Sequence, residues 1–276
     1  EVLVISDPSN MNYLTGYDGW SFYVPQGIII SLDSKEPMWF GRKQDANGAK
    51  ITTYLNHNNI IGYPEELIQA PPSHPYDYVG KIIHDKKWSN KNIGVEMDSY
   101  YYSAECHARL VKHCPNANFS DAYLLVNWIR LIKSKAEIEY MKQAGELVQL
   151  GMQKAYDTIR PGARQSTVAG NIQHSLLSGT DKIGGEYSGL TIILASGIYA
   201  SASHLTPKDK KFKEGEGTII ELAGVKHRYH CPLSRTVYIG KPDQQTLETM
   251  NITNEGMESA LDKIKPGNTA HDVADA

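Results

Sequence analysis

Short apolar runs separated by polar turns fill the first part of the chain. "EVLVIS" at its start has the length of a buried strand, and "GIIISLDSKEPMWF" reads as two strands around a polar turn. "NIGVEM" is a further strand, followed by "SAECHARLVKHC", in which Ala104, Leu110 and Val111 have helical spacing. The intervening "QAPPSHPYDY" is expected to be a loop, because stacked prolines remove backbone donors and favour extended conformations. Strands alternating with helices predict a mixed α/β domain over residues 1–122.

From residue 123 onward the pattern turns helical. In "LLVNWIRLIKSKAEIEYMKQAGELVQLGMQKAYDTIRPG", Ser134 and Glu137 have the spacing of a capping box, and Ile138, Met141, Val148, Met152 and Ile159 lie broadly along one stripe until Pro161 and Gly162 end the helix. A second helix is expected from Thr167 to about Leu177, stopping at Gly179, and three apolar strands follow in "GLTIILASG", "GTIIELAGV" and "SRTVYIG". A last helix is expected from about Thr246 to Ile264, before Pro266 and Gly267.

The two helix stops repeat. "TIRPGARQSTVAG" and "KIKPGNTAHDVAD" share an isoleucine, a basic residue, Pro-Gly and then Val-Ala at one offset, each after a long helix, which favours a duplicated helix–helix–strand unit. The first copy continues into strands, whereas the second stops at Ala276 before any strand. The expectation is an α/β (α+β) chain with domains 1–122 and 123–276, the second domain truncated in its second half as the sequence stands.

A length of 276 residues suits two domains. With 28 Lys and Arg against 31 Asp and Glu, a net charge of -3 and no long like-charge run, the composition argues against nucleic-acid and basic membrane-binding roles and for a small-molecule partner. No apolar stretch has membrane-spanning length. Cys106, Cys114 and Cys231 are odd in number and lack CxxC spacing, so neither a disulfide framework nor a zinc knuckle is expected, and a reducing cytoplasm fits best. The chain opens at Glu1 without a methionine, which leaves a preceding leader open.

Candidate chemistry gathers in "GTIIELAGVKHRYHCPLSRTVYIG". Glu221 continues an apolar run, and a carboxylate there is costly unless paired or functional; desolvation would equip it as base, acid or nucleophile. The bland alternative is a strand-end glutamate facing water. His204, in "ASASHLTP" after another strand, has the residue type of a proton shuttle or an oxyanion donor, although many loop histidines are merely solvated. His227, His230 and Cys231 are of metal-binding type, but their spacing matches no zinc pattern, and a polar turn is the simpler reading. His230 or Arg228 could instead meet a substrate carboxylate. Arg235 is more readily a partner for a core acid than a substrate ligand. In "TGYDGWSFYVPQ", Tyr17, Asp18, Trp20, Phe22 and Tyr23 form either core or the wall of a pocket for a cationic or zwitterionic ligand.

Taken together, "RLIKSKAEIEYMKQAG", the "RPG" and "KPGNTAHDVADA" stops, "SHLTP" and the Glu221 segment resemble the creatinase/aminopeptidase P/methionine aminopeptidase family, along the whole chain. That resemblance implies a creatinase-type N-terminal domain followed by a pita-bread catalytic domain with a pseudo-two-fold, which the internal repeat agrees with. Metal-dependent members carry one aspartate in the first strand and another eleven positions later; here those positions hold Glu221 and Pro232, so the bridging carboxylate pair is broken and no metal or cofactor is expected. Creatinase implies that this fold can hydrolyse a carbon–nitrogen bond without metal. The strings "PSNMNYLTGYDGWSFYVPQ", "FGRKQDANGAK", "NIIGYPEELIQAPPSHP", "IGVEMDSYYYSA" and "RYHCPLSRTV" are similar to members that open a cyclic amidine, a small zwitterion. The resemblance then implies Glu221 as nucleophile, His204 in proton transfer, Arg228 or His230 on the substrate carboxylate, and the aromatic loop on the amidinium. It also implies a homodimer in which the first domain of one chain reaches toward the catalytic domain of the other. A metal-dependent Xaa-Pro peptidase and a non-catalytic ligand-binding relative are the alternatives, and residues completing the site are expected beyond Ala276.

Overall fold

The computed structural model describes Glu1–Ala276 as two compact units, Glu1–Ser134 and Lys135–Ala276. In the first unit, β1 (Val2–Ile5), β2 (Gly27–Ser31), β3 (Met38–Arg42), β4 (Ile60–Tyr63), β5 (Asn92–Val95) and β6 (Asn118–Asp121) form one sheet in the order β4-β3-β2-β1-β5-β6. The β1/β2 and β2/β3 pairs are antiparallel, the rest parallel.

Both faces of this sheet are covered, which is why its strands read as continuous apolar runs rather than as an alternation. Neighbours along a strand point to opposite faces. Val4, Ile29 and Phe40 therefore pack with α3 (Pro75–Asp85) and α4 (Ala104–His113), through Tyr76, Val79, Ile83 and Leu110. Ile5, Ile28 and Trp39 pack on the other side with Met11 of α1 (Pro8–Thr15), Ala46 and Ala49 of α2 (Ala46–Thr52), and Tyr17.

The proline-rich stretch is loop only as far as His74. Pro75 takes the first position of α3, where a missing N–H costs nothing, and the Nδ1 of His74 accepts from the Tyr76 N–H while the Asp77 carboxylate accepts from the His74 N–H.

The division between the units falls at Ser134/Lys135, not at 122/123 as the change of pattern suggested. The reason is α5 (Leu125–Ile129): its Val126 is buried in the first unit's core, and Asn127 and Arg130 both bond to Asn10. Asn10 also donates to the buried carboxylate of Glu96 at 2.7 Å, and Glu96 accepts the backbone N–H groups of Ser6 and Asp7. The buried charge is thus fully bonded, and it ties the ends of β1 and β5 to the segment leaving the unit.

The second unit opens with α6 (Lys135–Thr158), followed by α7 (Gln165–Ser178), and both pack on one face of an antiparallel sheet ordered β7-β8-β9: β7 (Ile193–Ser196), β8 (Gly217–Lys226) and β9 (Tyr229–Tyr238). Of the expected helical stripe, Val148 and Met152 are core and Ile159 is packed at its edge, whereas Ile138 is exposed; Ala144, Leu147, Gly151 and Ala155 complete the buried face. At Gly224 a Cβ would lie 2.1 Å from the Ala144 carbonyl oxygen, so a side-chain-free position lets α6 lie close on β8. Strand β9 extends back through Pro232 to Tyr229, further than the apolar run suggested; it is an edge strand, where a missing N–H is tolerated. The chain closes with α8 (Gln244–Lys263), which buries none of its residues, and α9 (Ala270–Ala274). No helix is long and apolar enough to cross a membrane.

Candidate active site

Glu221 lies in the middle strand of the β7-β8-β9 sheet, opposite Ile193 on one side and Ser234 on the other. Because side chains alternate, Glu221 shares a face with Ile219 and Ala223, while Ile220 and Leu222 turn to the α6/α7 core. Its carboxylate is half-buried on the face away from the helices, and no hydrogen bond or ion pair engages it. The surroundings of Glu221 on this face are more open than an apolar run implies: Ser234 and Thr236 are exposed.

Pro232 is opposite Ala223, two residues before Ser234 on β9, and so stands diagonally beside Glu221 on the same face. A bridging metal would need a carboxylate there, and proline supplies no side-chain donor. Nowhere in the structure do three His, Cys, Asp or Glu side chains converge as a ligand set. These two strands thus offer one carboxylate and a proline where the resemblance implies a carboxylate pair.

His204 follows β7 through a 3-10 turn (Gly197–Ser201) and sits exposed in a left-handed conformation, φ 62°. Ser196, where β7 ends, is opposite Thr218, three positions from Glu221 on β8, or about 10 Å along the strand. The loop that carries His204 therefore leaves the sheet at the end nearer Glu221.

Arg228 and His230 belong to the opposite end, and the structure does not bring them beside Glu221. His227 and Arg228 form a two-residue hairpin turn with both φ values positive, 47° and 67°, the backbone of a type I′ turn usually given to Asn-Gly. Surrounding contacts hold this turn. The Arg228 guanidinium lies 3.8 Å over the Tyr187 ring and donates to the Tyr187 carbonyl, and the His227 N–H donates to Glu186. The His227 ring also packs at a tilt against Tyr140, with centroids 4.5 Å apart. The Nε2 of His230 accepts from the Gly189 N–H at 3.0 Å, and its Nδ1 lies 2.9 Å from the Arg228 carbonyl, so partner chemistry selects the Nδ1–H tautomer. His230 is opposite Val225, about 13 Å along the strand from Glu221. Arg235 is exposed and donates to the Ser234 carbonyl rather than to a core acid.

The aromatic loop splits. Tyr17 is core, 4% exposed, packed on Trp39 and bonded to Gln26, and so does not wall an open pocket. Asp18 is exposed, and its N–H bonds to Thr52. Trp20, Phe22 and Tyr23 form a cluster with ring centroids 5.2 to 6.0 Å apart, Trp20 and Tyr23 being 61% exposed, and Tyr101 extends it. Tyr101, with no periodic signal in "DSYYYSA" to single it out, escaped sequence reasoning.

Comparison with known proteins agrees with this architecture. Residues 139–276 match the model of metallopeptidase family M24, and residues 1–132 that of the creatinase/prolidase N-terminal domain. The chain belongs to family M24, a family of hydrolases, and has the creatinase-type N-terminal and pita-bread domains of that family. It is 45% identical, over 99% of its length and 70% of the relative's, to an ectoine hydrolase of Halomonas elongata, and 40% identical, over the same shares, to an uncharacterized hydrolase/peptidase of Sinorhizobium fredii. Among solved structures, a prolidase from Pyrococcus horikoshii superimposes with a TM-score of 0.80 at 20% identity over 99% of this chain and 70% of that one. An X-Pro aminopeptidase from Thermotoga maritima gives 0.76 at 22% identity over 95% and 67%. These structural likenesses carry the fold alone.

Proposed function

We propose that the protein hydrolyses the cyclic amidine ring of ectoine to N-acetyl-diaminobutyrate, without a metal, through Glu221. The observation that carries this reading is the placement of Pro232 diagonally beside Glu221 on one sheet face, together with 45% identity to an ectoine hydrolase. In the reaction, a Glu221 oxygen forms a bond to C2 of the amidinium, the electrophilic carbon between two nitrogens. The C2–N bond then breaks, and His204 delivers the proton that the departing nitrogen takes up. Water adds at C2, expels the Glu221 carboxylate and leaves the acetamide. A carboxylate free of ion pairs is the right ground state for such attack, since no cation must first be displaced.

Arg228 and His230 serve this reading by holding the β8/β9 hairpin rather than by touching substrate. The exposed Trp20 and Tyr23 rings of the N-terminal unit, with the partly buried Phe22 beside them, are suited to a delocalised cation. A cytoplasmic homodimer remains part of the proposal, and sedimentation at working concentration checks its assembly.

The experiment is incubation of the purified protein with ectoine, with and without a chelator, following product by NMR and searching the Glu221 peptide for an adduct by mass spectrometry. Turnover insensitive to chelator and an adduct on that peptide are expected. Loss of ectoine turnover on chelation, restored by manganese or cobalt, would overturn the metal-free step, and metal-restored cleavage of an Xaa-Pro dipeptide without ectoine turnover would instead establish the second reading, a metal-dependent Xaa-Pro peptidase, which the fold of the prolidase neighbours accommodates. Ectoine binding without turnover would identify a non-catalytic relative.

A further inference from the structure

We propose that Tyr199 and Lys210 are positioning residues that fix the loop presenting His204, and that the "RPGARQ" helix stop is the platform on which this loop is built. The inference rests on the reading of His204 as the proton-transfer group.

The loop between β7 and β8 leaves the sheet through the 3-10 turn that contains Tyr199 and returns along residues 208–212. Its return arm is bonded to the connection between α6 and α7. The Gly162 N–H donates to the Phe212 carbonyl and the Phe212 N–H to the Ala163 carbonyl, both at 2.9 Å, and the Gln165 N–H donates to the Lys210 carbonyl at 2.8 Å. The Gln165 side chain, 4% exposed, accepts the Lys208 N–H, and Arg164 pairs with Asp209. Phe212 itself is buried in the α6/α7 core. The helix stop recognised in the sequence as half of a repeat thus does more than end a helix: it is the backbone template for one arm of the loop.

The outgoing arm is joined to the return arm by one side-chain pair. The Lys210 Nζ donates to the Tyr199 hydroxyl at 2.5 Å and lies 4.0 Å from the Tyr199 ring centroid. The same ammonium lowers the pKa of the Tyr199 phenol from its ordinary value, through its hydrogen bond to the oxygen and its charge. Between these anchors Ser203 and His204 form a turn, in which His204 holds a left-handed conformation that is uncommon for non-glycine residues. Closing the loop at its base limits the positions open to His204, and a misplacement of about 1 Å can cost about 100-fold in rate.

The test uses Tyr199→Phe, Lys210→Met and Lys210→Arg, with 13C-labelled histidine, the His204 signal being assigned by its loss in His204→Gln. Expected are a shifted His204 ring signal in Tyr199→Phe and Lys210→Met, with kcat on ectoine lowered about 10-fold and KM within about twofold. Lys210→Arg, which keeps a donor and a cation over the ring, should restore both readouts. The double variant Tyr199→Phe/Lys210→Met should be no worse than either single change, because both remove one contact. A His204 signal that does not move in either single variant overturns the proposal. If Lys210→Met fails to fold, Tyr199→Phe, which deletes a single oxygen, decides. Full turnover in His204→Gln would remove His204 from the mechanism, while the signal shifts would still judge the Tyr199/Lys210 contact independently.

Discussion

Glu221 and Pro232 stand diagonally across the β8/β9 pair: Glu221 is opposite Ser234, and Pro232, two residues earlier on β9, is opposite Ala223 on the same face. Diagonal neighbours in an antiparallel pair are about 7–8 Å apart, close enough for two carboxylates to share an ion. Restoring the missing donor with Pro232→Asp should therefore confer uptake of manganese, measured by calorimetry and elemental analysis, and should depress ectoine opening as the second negative charge repels the first. Equal manganese uptake by the parent protein and the variant would show that Pro232 is not what sets metal affinity.

Glu221→Gln keeps the size of the side chain and removes its nucleophilic charge. Turnover of ectoine should fall on the order of 1000-fold or more while calorimetric binding of ectoine persists. Retention of more than a small fraction of activity would remove Glu221 from the mechanism.

The close approach of α6 and β8 makes Gly224 intolerant. In Gly224→Ala the new methyl would meet the Ala144 carbonyl oxygen at 2.1 Å and the Val148 nitrogen at 2.7 Å, both backbone atoms, so the helix must move; a loss of about 3 kcal/mol is expected in chemical denaturation. Gly170, exposed within α7, is the opposite case, since an added methyl there would meet no atom within 4 Å. Gly170→Ala should stabilise by about 0.5–1 kcal/mol, because alanine gains helix propensity without a clash.

His74 caps α3 as a neutral acceptor, and burial lowers its pKa from the ordinary value. A histidine with a depressed folded pKa takes up its proton more readily unfolded. Its contribution is therefore present above the unfolded pKa of about 6.5 and is lost as pH falls through the lower folded value. Thermal midpoints should drop more between pH 7.5 and pH 5 in the parent than in His74→Asn, whose amide caps without titrating. Parallel slopes for the two proteins would rule out His74 as a contributor to acid sensitivity.

The two units, most strands and the long helices were legible because their hydrophobic periods are local properties of the chain. The boundary was not: α5 carries the polar and apolar mix of a linker, and only the bonds from Asn127 and Arg130 to Asn10, far away in sequence, assign it to the first unit. Similarly, "TGYDGWSFY" showed aromatic density but not its division, since burial of Tyr17 against Trp39 depends on a sheet face that no local pattern specifies.

By itself the sequence determined the alternation that turns Glu221 away from the helix-covered face and the identity of Pro232, because strand period and side-chain chemistry are written residue by residue. Only the tertiary structure decided which of the candidate polar residues share a neighbourhood. Register places Pro232 beside Glu221, strand length carries Arg228 and His230 to the far end of the hairpin, and hydrogen bonds from the α6/α7 connection set the loop that holds His204. Such proximities follow from long-range pairing, whose geometry is fixed by packing as a whole and not by any single stretch of chain.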